Sequence, residues 1–174
     1  MSNIKKMTFT ALCVALAVVL PMALHTVPNA GKIFLPMHIP VLLCGLICGP
    51  LLGTACGLLA PLLSSLFTSM PPAAVLPGMM CELAVYGLVA GLLIKLVKTK
   101  KMALNIYISL VGAMLAGRVI AGLVNGLIFM AGKYSMSAWV AGSFVTALPG
   151  IAIQLIFIPL VVAALIKAKV VKLG

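Results

Sequence analysis

Along most of the chain, apolar residues run on without the polar interruptions of a half-buried helix, and the polar residues collect in short clusters between the runs. An apolar run of about 20 residues is the length at which a helix crosses the hydrocarbon core of a bilayer. The pattern predicts helices over about residues 7–24, 38–50, 52–67, 76–94, 104–130 and 146–166. The second and third come from one stretch, Val41 to Phe67, which is too long for one comfortable span and too short for two full ones. Gly49, Pro50, Gly53 and Gly57 lie in its middle. Proline removes a backbone donor and glycine weakens a helix, so the stretch reads as two short helices joined by a tight turn.

The polar segments between the runs read as loops. His25 to Met37, with Pro28, Gly31, Lys32 and Pro36, is an external loop long enough to fold over a cavity, and Thr68 to Pro77 and Gly132 to Ala138 are two more. Trp139, beside the third, is an interfacial anchor or a ring that stacks on a ligand. Pro149 and Pro159 predict kinks in the last helix.

Composition fixes the class. Of 174 residues, 64% are hydrophobic and 7% charged, whereas soluble domains run at about half and about a quarter. The chain is an all-α membrane protein, a six-helix transmembrane bundle forming a single integral membrane domain over residues 1–174. Its first helix has no small-residue cleavage pattern after a short apolar core, so it is expected to stay in the mature protein.

Charge sets the expected orientation. The net charge of +11 comes from lysines at segment ends, which is the positive-inside signal rather than a nucleic-acid footprint. With six spans, Lys5, Lys6, Lys95, Lys98, Lys100, Lys101, Lys167, Lys169 and Lys172 share one side, and only Lys32 and Lys133 fall on the other. Both termini are therefore expected in the cytoplasm. A single helix across Val41–Phe67 would export most of the lysines and invert the rule.

Five cysteines, Cys13, Cys44, Cys48, Cys56 and Cys81, lie within apolar runs. Cys44 and Cys48 share a helix face, but no histidine or further cysteine completes a ligand set, so they read as small buried hydrophobes and no metal is expected.

Glu82 is the single acidic residue, and it sits inside an apolar run. An unpaired carboxylate within the hydrocarbon costs several kcal/mol, which makes such a residue a functional candidate. Arg118 raises the same question in the next run. With the predicted topology Glu82 lies roughly 9 Å below the outer end of its helix. Asn125 and Gln154 fall at similar depth, and Arg118, two turns below Asn125 on one face, reaches outward with its long side chain. His25, His38 and Trp139 lie nearer the surface. The inner half of the bundle holds almost no such residue. A channel or proton relay needs polar groups across the whole membrane, whereas these fit a pocket open outside and closed within. The structural alternative is a buried Glu82–Arg118 ion pair that pins two helices together.

Chemistry missing from the chain narrows the function. It has no G-x-x-x-x-G-K-[ST] phosphate loop, and one carboxylate with two histidines offers little for acid/base or metal-assisted catalysis. Glu82 as the coupling site of a self-sufficient proton- or ion-driven permease remains the alternative reading.

Four stretches carry a family resemblance: Ala11-Leu12-Cys13-Val14-Ala15, Met37 to Leu43, Gly45 to Gly57 with its Gly-Pro turn, and Cys81 to Gly87. In this order they resemble the substrate-binding S components of energy-coupling factor (ECF) vitamin transporters. The resemblance covers nearly the whole chain. It implies a non-catalytic subunit in the bacterial plasma membrane that captures a water-soluble vitamin or precursor from outside. It further implies a transmembrane coupling protein and two ATPases as partners, so that ATP is used elsewhere and this chain needs no cofactor. Ala11 and Ala15 would face the coupling protein. The ligand would sit under the first loop among the outer parts of the fourth to sixth helices, with Glu82, Arg118, Asn125, Gln154, His38, Trp139 and Tyr86 as candidate contacts. The segments around His38 and Glu82 look closest to members associated with pyridoxine-type, pantothenate or cobalamin-precursor uptake.

Overall fold

A computed structural model describes residues 1–24, 29–129 and 135–171; His25, Lys133, Tyr134 and Lys172 lie outside them. Six long helices are apolar enough to cross a membrane: α1 (Asn3–Ala23), α3 (His38–Cys48, extended by the short α2, Ala30–Phe34), α4 (Pro50–Thr68), α5 (Leu76–Leu96), α6 (Met102–Val124) and α8 (Leu148–Lys167). Between α6 and α8 lies the short α7 (Met136–Val140). The chain is a multi-pass membrane protein.

Local chemistry explains most boundaries. The hydroxyl of Ser2 accepts the Lys5 N–H, so α1 starts at Asn3, a turn before its apolar run. Between α3 and α4 the turn contracts to Gly49, at φ 98° and ψ 178°, followed by Pro50 in the first turn of α4. Only glycine tolerates that backbone, and proline costs nothing where the helix has no N–H to satisfy. Asn105 ties α6 back to its preceding loop, its Oδ1 accepting the Thr99 N–H at 2.9 Å and also the Thr99 hydroxyl.

Three expectations change. The stretch expected as an ordered external loop contains the short helix α2, and its Ala30 is buried. Pro149 falls in the first turn of α8, where no intrahelical bond is lost, and Pro159 is the one inside the helix. The helix expected to run straight to residue 130 ends as α at Val124 and continues as a π-helical segment, Asn125–Phe129, matched by a second one at Ala141–Thr146.

The centre of the bundle is α3. All its residues except Ile39 are buried, whereas the long helices around it each expose an apolar face. It is held by backbone contact rather than by interlocked large side chains. A Cβ on Gly53 would fall 2.6 Å from the Gly87 carbonyl oxygen, and one on Gly45 3.1 Å from the Gly87 Cα. Gly57 abuts the Leu83 backbone and Gly91 the Gly49–Pro50 turn. Small residues let membrane helices approach this closely and gain dispersion and Cα–H···O contacts where no hydrophobic effect drives association.

On the α1 side, Thr10, Cys13 and Ala17 face inward, and Cys44 Sγ lies 3.5 Å from the Thr10 hydroxyl. Ala11 and Ala15 are exposed on the outer face of α1, whereas Ala17 is on the packed face. The cysteines are free thiols, four buried and Cys81 half-buried. Among the described residues no group of three His, Cys, Asp or Glu is arranged to hold a metal ion.

Candidate substrate site

Glu82 stands in the second turn of α5, and the α-helical spacing puts Gly78, Glu82 and Tyr86 in one row. That row faces α6. Gly117 backs onto the Tyr86 ring, and the Asn125 amide fills the space that a side chain at Gly78 would occupy. Arg118, next to Gly117, is 3% exposed and brings its Nε to 4.0 Å from Glu82 Oε1. From the other side His38, the first residue of α3, brings its Nε2 to 3.8 Å from the same oxygen. The carboxylate thus lies between two nitrogen bases, and neither is within hydrogen-bond distance.

Aromatic rings complete the wall. His38 and Tyr86 meet edge-to-face at 5.2 Å. The Arg118 guanidinium sits 5.6 Å over the ring of Phe144, which is itself edge-to-face with Trp139 at 5.6 Å. The Trp139 indole in turn rests against Gly122, one turn above Arg118. Both π-helical segments therefore reach the site, one through Asn125 and the other through Phe144. Such an insertion rotates the following residues about the helix axis, and it recurs at functional positions.

Of the residues picked from the sequence, His38, Glu82, Tyr86 and Arg118 form the centre. Trp139 joins through Phe144, and Asn125 lies one turn nearer the helix ends beside Gly78. Gln154 is on α8, which packs against α2, α3 and α6, and it is fully buried. It makes no ion-pair or hydrogen-bond contact with that centre among the described residues. Phe144 was missed, because a phenylalanine in an apolar run carries no signal of its own. Gly78, Gly117 and Gly122 were missed for the complementary reason that glycines recur throughout these helices.

The polar atoms are poorly satisfied. Both ring nitrogens of His38, the Tyr86 hydroxyl and both amide atoms of Gln154 are buried with no hydrogen-bond partner among the described residues. Each such group costs about 1–3 kcal/mol, so several together point to a partner that completes them. Glu82 is the opening, because its side chain keeps 24% of its surface accessible while His38 and Arg118 keep 4% each. A neighbouring groove of about 280 Å³ is lined by Leu20, Leu24, Phe34, Pro36, Ile39 and Ile153. It offers no hydrogen-bonding group, and a polar ligand would gain nothing there.

A sequence model of the family described as ECF transporter, substrate-specific component, matches residues 5–162. The chain belongs to this family. As a substrate-specific component of an ECF transporter, it is a substrate-capturing transport subunit and not an enzyme. No curated protein and no solved structure shows significant similarity to the chain. The detail of its site therefore rests on its own residues.

Proposed function

We propose that this substrate-specific component captures a water-soluble vitamin or vitamin precursor in the cluster of His38, Glu82, Tyr86 and Arg118. Asn125, Trp139 and Gln154 contribute around it, and the ligand is handed to an ATP-driven ECF module. The observation that carries the reading is the buried polar atoms of His38 and Tyr86, without partners among the described residues, beside the chain's single acidic side chain. An ion pair that only pinned two helices would leave the buried His38 nitrogens and Tyr86 hydroxyl without a role. The candidate ligands are pyridoxine-type compounds, pantothenate and cobalamin precursors.

Orientation follows from charge. Cys48 Sγ donates to the Lys6 carbonyl at 3.5 Å, and the Lys95 ammonium lies beside Gly49, so the start of α1, the α3–α4 turn and the end of α5 share one end of the bundle. That end also carries Lys5, Lys98, Lys100, Lys101, Lys167 and Lys169, whereas the other end carries Lys32 among the described residues. The positive-inside rule makes the lysine-rich end cytoplasmic, with both termini inside a bacterial plasma membrane and the substrate cluster opening outward. The partners are a transmembrane coupling protein, docked on the α1 face that presents Ala11 and Ala15, and two ATPases. The chain itself uses no cofactor.

Proteoliposomes test this against an ion-coupled permease. Copurified ligand should enter only when the coupling protein, both ATPases and ATP are present, and a protonophore should leave uptake unchanged. Uptake by this chain alone, abolished by the protonophore and by Glu82→Gln, would establish the permease instead.

A further inference from the structure

We infer that the substrate is a planar, hydroxylated heteroaromatic molecule carrying no net charge. This rests on the reading of the Glu82 cluster as the substrate site, and it narrows the ligand by chemistry.

The charge argument comes first. Glu82 and Arg118 supply the carboxylate and the guanidinium of the cluster among the described residues, and they stand 4.0 Å apart. A ligand carboxylate or phosphate set on Arg118 would also face the Glu82 carboxylate, and a ligand ammonium set on Glu82 would face the guanidinium. Both are worse in a buried setting, where water screens little. Two opposite charges that hold each other but stop short of a hydrogen bond leave space for a neutral group that donates to the carboxylate and accepts from the guanidinium.

The hydrogen-bonding inventory agrees. The orphaned atoms include donors and acceptors in similar number. A neutral His38 ring has one of each, and the Tyr86 hydroxyl serves as either. Hydroxyl groups and a ring nitrogen satisfy such a set, whereas an anion satisfies only its donors.

Shape follows from the rings. Trp139 and Phe144 are partly open, and the Phe144 ring already carries the Arg118 guanidinium at 5.6 Å. His38 and Tyr86 meet edge-to-face beside Glu82, Phe144 carries Arg118 and Trp139 packs on Phe144, and a flat molecule makes most use of such edges and faces. Among the ligands considered, this favours a pyridoxine-type compound over pantothenate, which carries a carboxylate.

The test uses one ring with varied charge: calorimetric titration of the detergent-purified full chain with pyridoxine, pyridoxine 5′-phosphate, 4-pyridoxic acid and pyridoxamine. Pyridoxine should bind about 100-fold more tightly than each charged analogue. Glu82→Gln should narrow the gap to the phosphate and the acid, and Arg118→Gln the gap to pyridoxamine. The Glu82→Gln/Arg118→Gln double variant, neutral at both positions, controls for folding. A charged analogue that binds as tightly as pyridoxine would overturn the inference, as would no binding by any of the four. If none binds while a copurified small molecule is lost in Glu82→Gln, the ligand class is wrong and the site stands. If neither single variant alters binding of any analogue or of a copurified molecule, the site assignment itself fails.

Discussion

Two faces of α5 follow opposite rules. Toward α3 and α4 it presents Gly87 and Gly91 and the backbone at Leu83, and helices meet there main chain to main chain with no room for a methyl group. Toward α6 it presents Glu82 and Tyr86, whose polar atoms stand off from their neighbours or have no partner among the described residues. The first face is satisfied by contacts within the chain, and the second carries polar atoms that a bound molecule can satisfy. Close packing and an unsatisfied site share one helix because the rigid seam fixes where the polar row points. A site held by the backbone keeps its orphaned groups from collapsing onto each other.

The comparison can be broken most severely at the seam. Gly57→Val would force a branched side chain into the Leu83 backbone and should destabilise the bundle by about 3 kcal/mol, seen as loss of the cooperative thermal transition in detergent. On the polar face the largest effect belongs to Arg118→Ala. It leaves Glu82 with His38 alone and should lower affinity for the copurified ligand about 100-fold, while the protein still melts cooperatively. Gln154→Leu separates the two rules by sign. Removing a buried, unpartnered amide should raise the stability of the empty protein by about 1 kcal/mol and weaken ligand binding about tenfold. If the variant instead melts lower, the amide has a partner in the empty protein and the contrast between the faces weakens. The smallest effect on this chain itself is expected at Ala11→Ile on the exposed face of α1, with stability within about 0.5 kcal/mol of the parent. The same variant should abolish ATP-dependent uptake if that face docks the coupling protein.

Much of the fold was legible because hydrocarbon-crossing helices announce themselves by length and apolarity. The turn at Gly49–Pro50 was legible because two residues with special backbone requirements sit together. Glu82 and Arg118 stood out as charges in apolar runs, and geometry brings them together. Faces were not legible. A helix apolar all round has no periodicity to show which side is buried, so the outward face of Ala11 and Ala15 was indicated by the family resemblance and not by the pattern of α1. The π-helical turns at Asn125 and Ala141 were invisible for another reason. They arise from one extra residue accommodated by tertiary packing, and no residue type marks them. Phe144 reaches Arg118 from such a turn, which is why the ring over the guanidinium was not foreseen.

Native mass spectrometry of the detergent-purified chain and its Glu82→Gln variant tests the central claim most directly. The parent should carry a copurified small molecule at substantial occupancy, and the variant, equally well folded by its thermal transition, should lose it. A molecule retained at equal occupancy in Glu82→Gln would contradict the assignment and leave the cluster as an ion pair between helices.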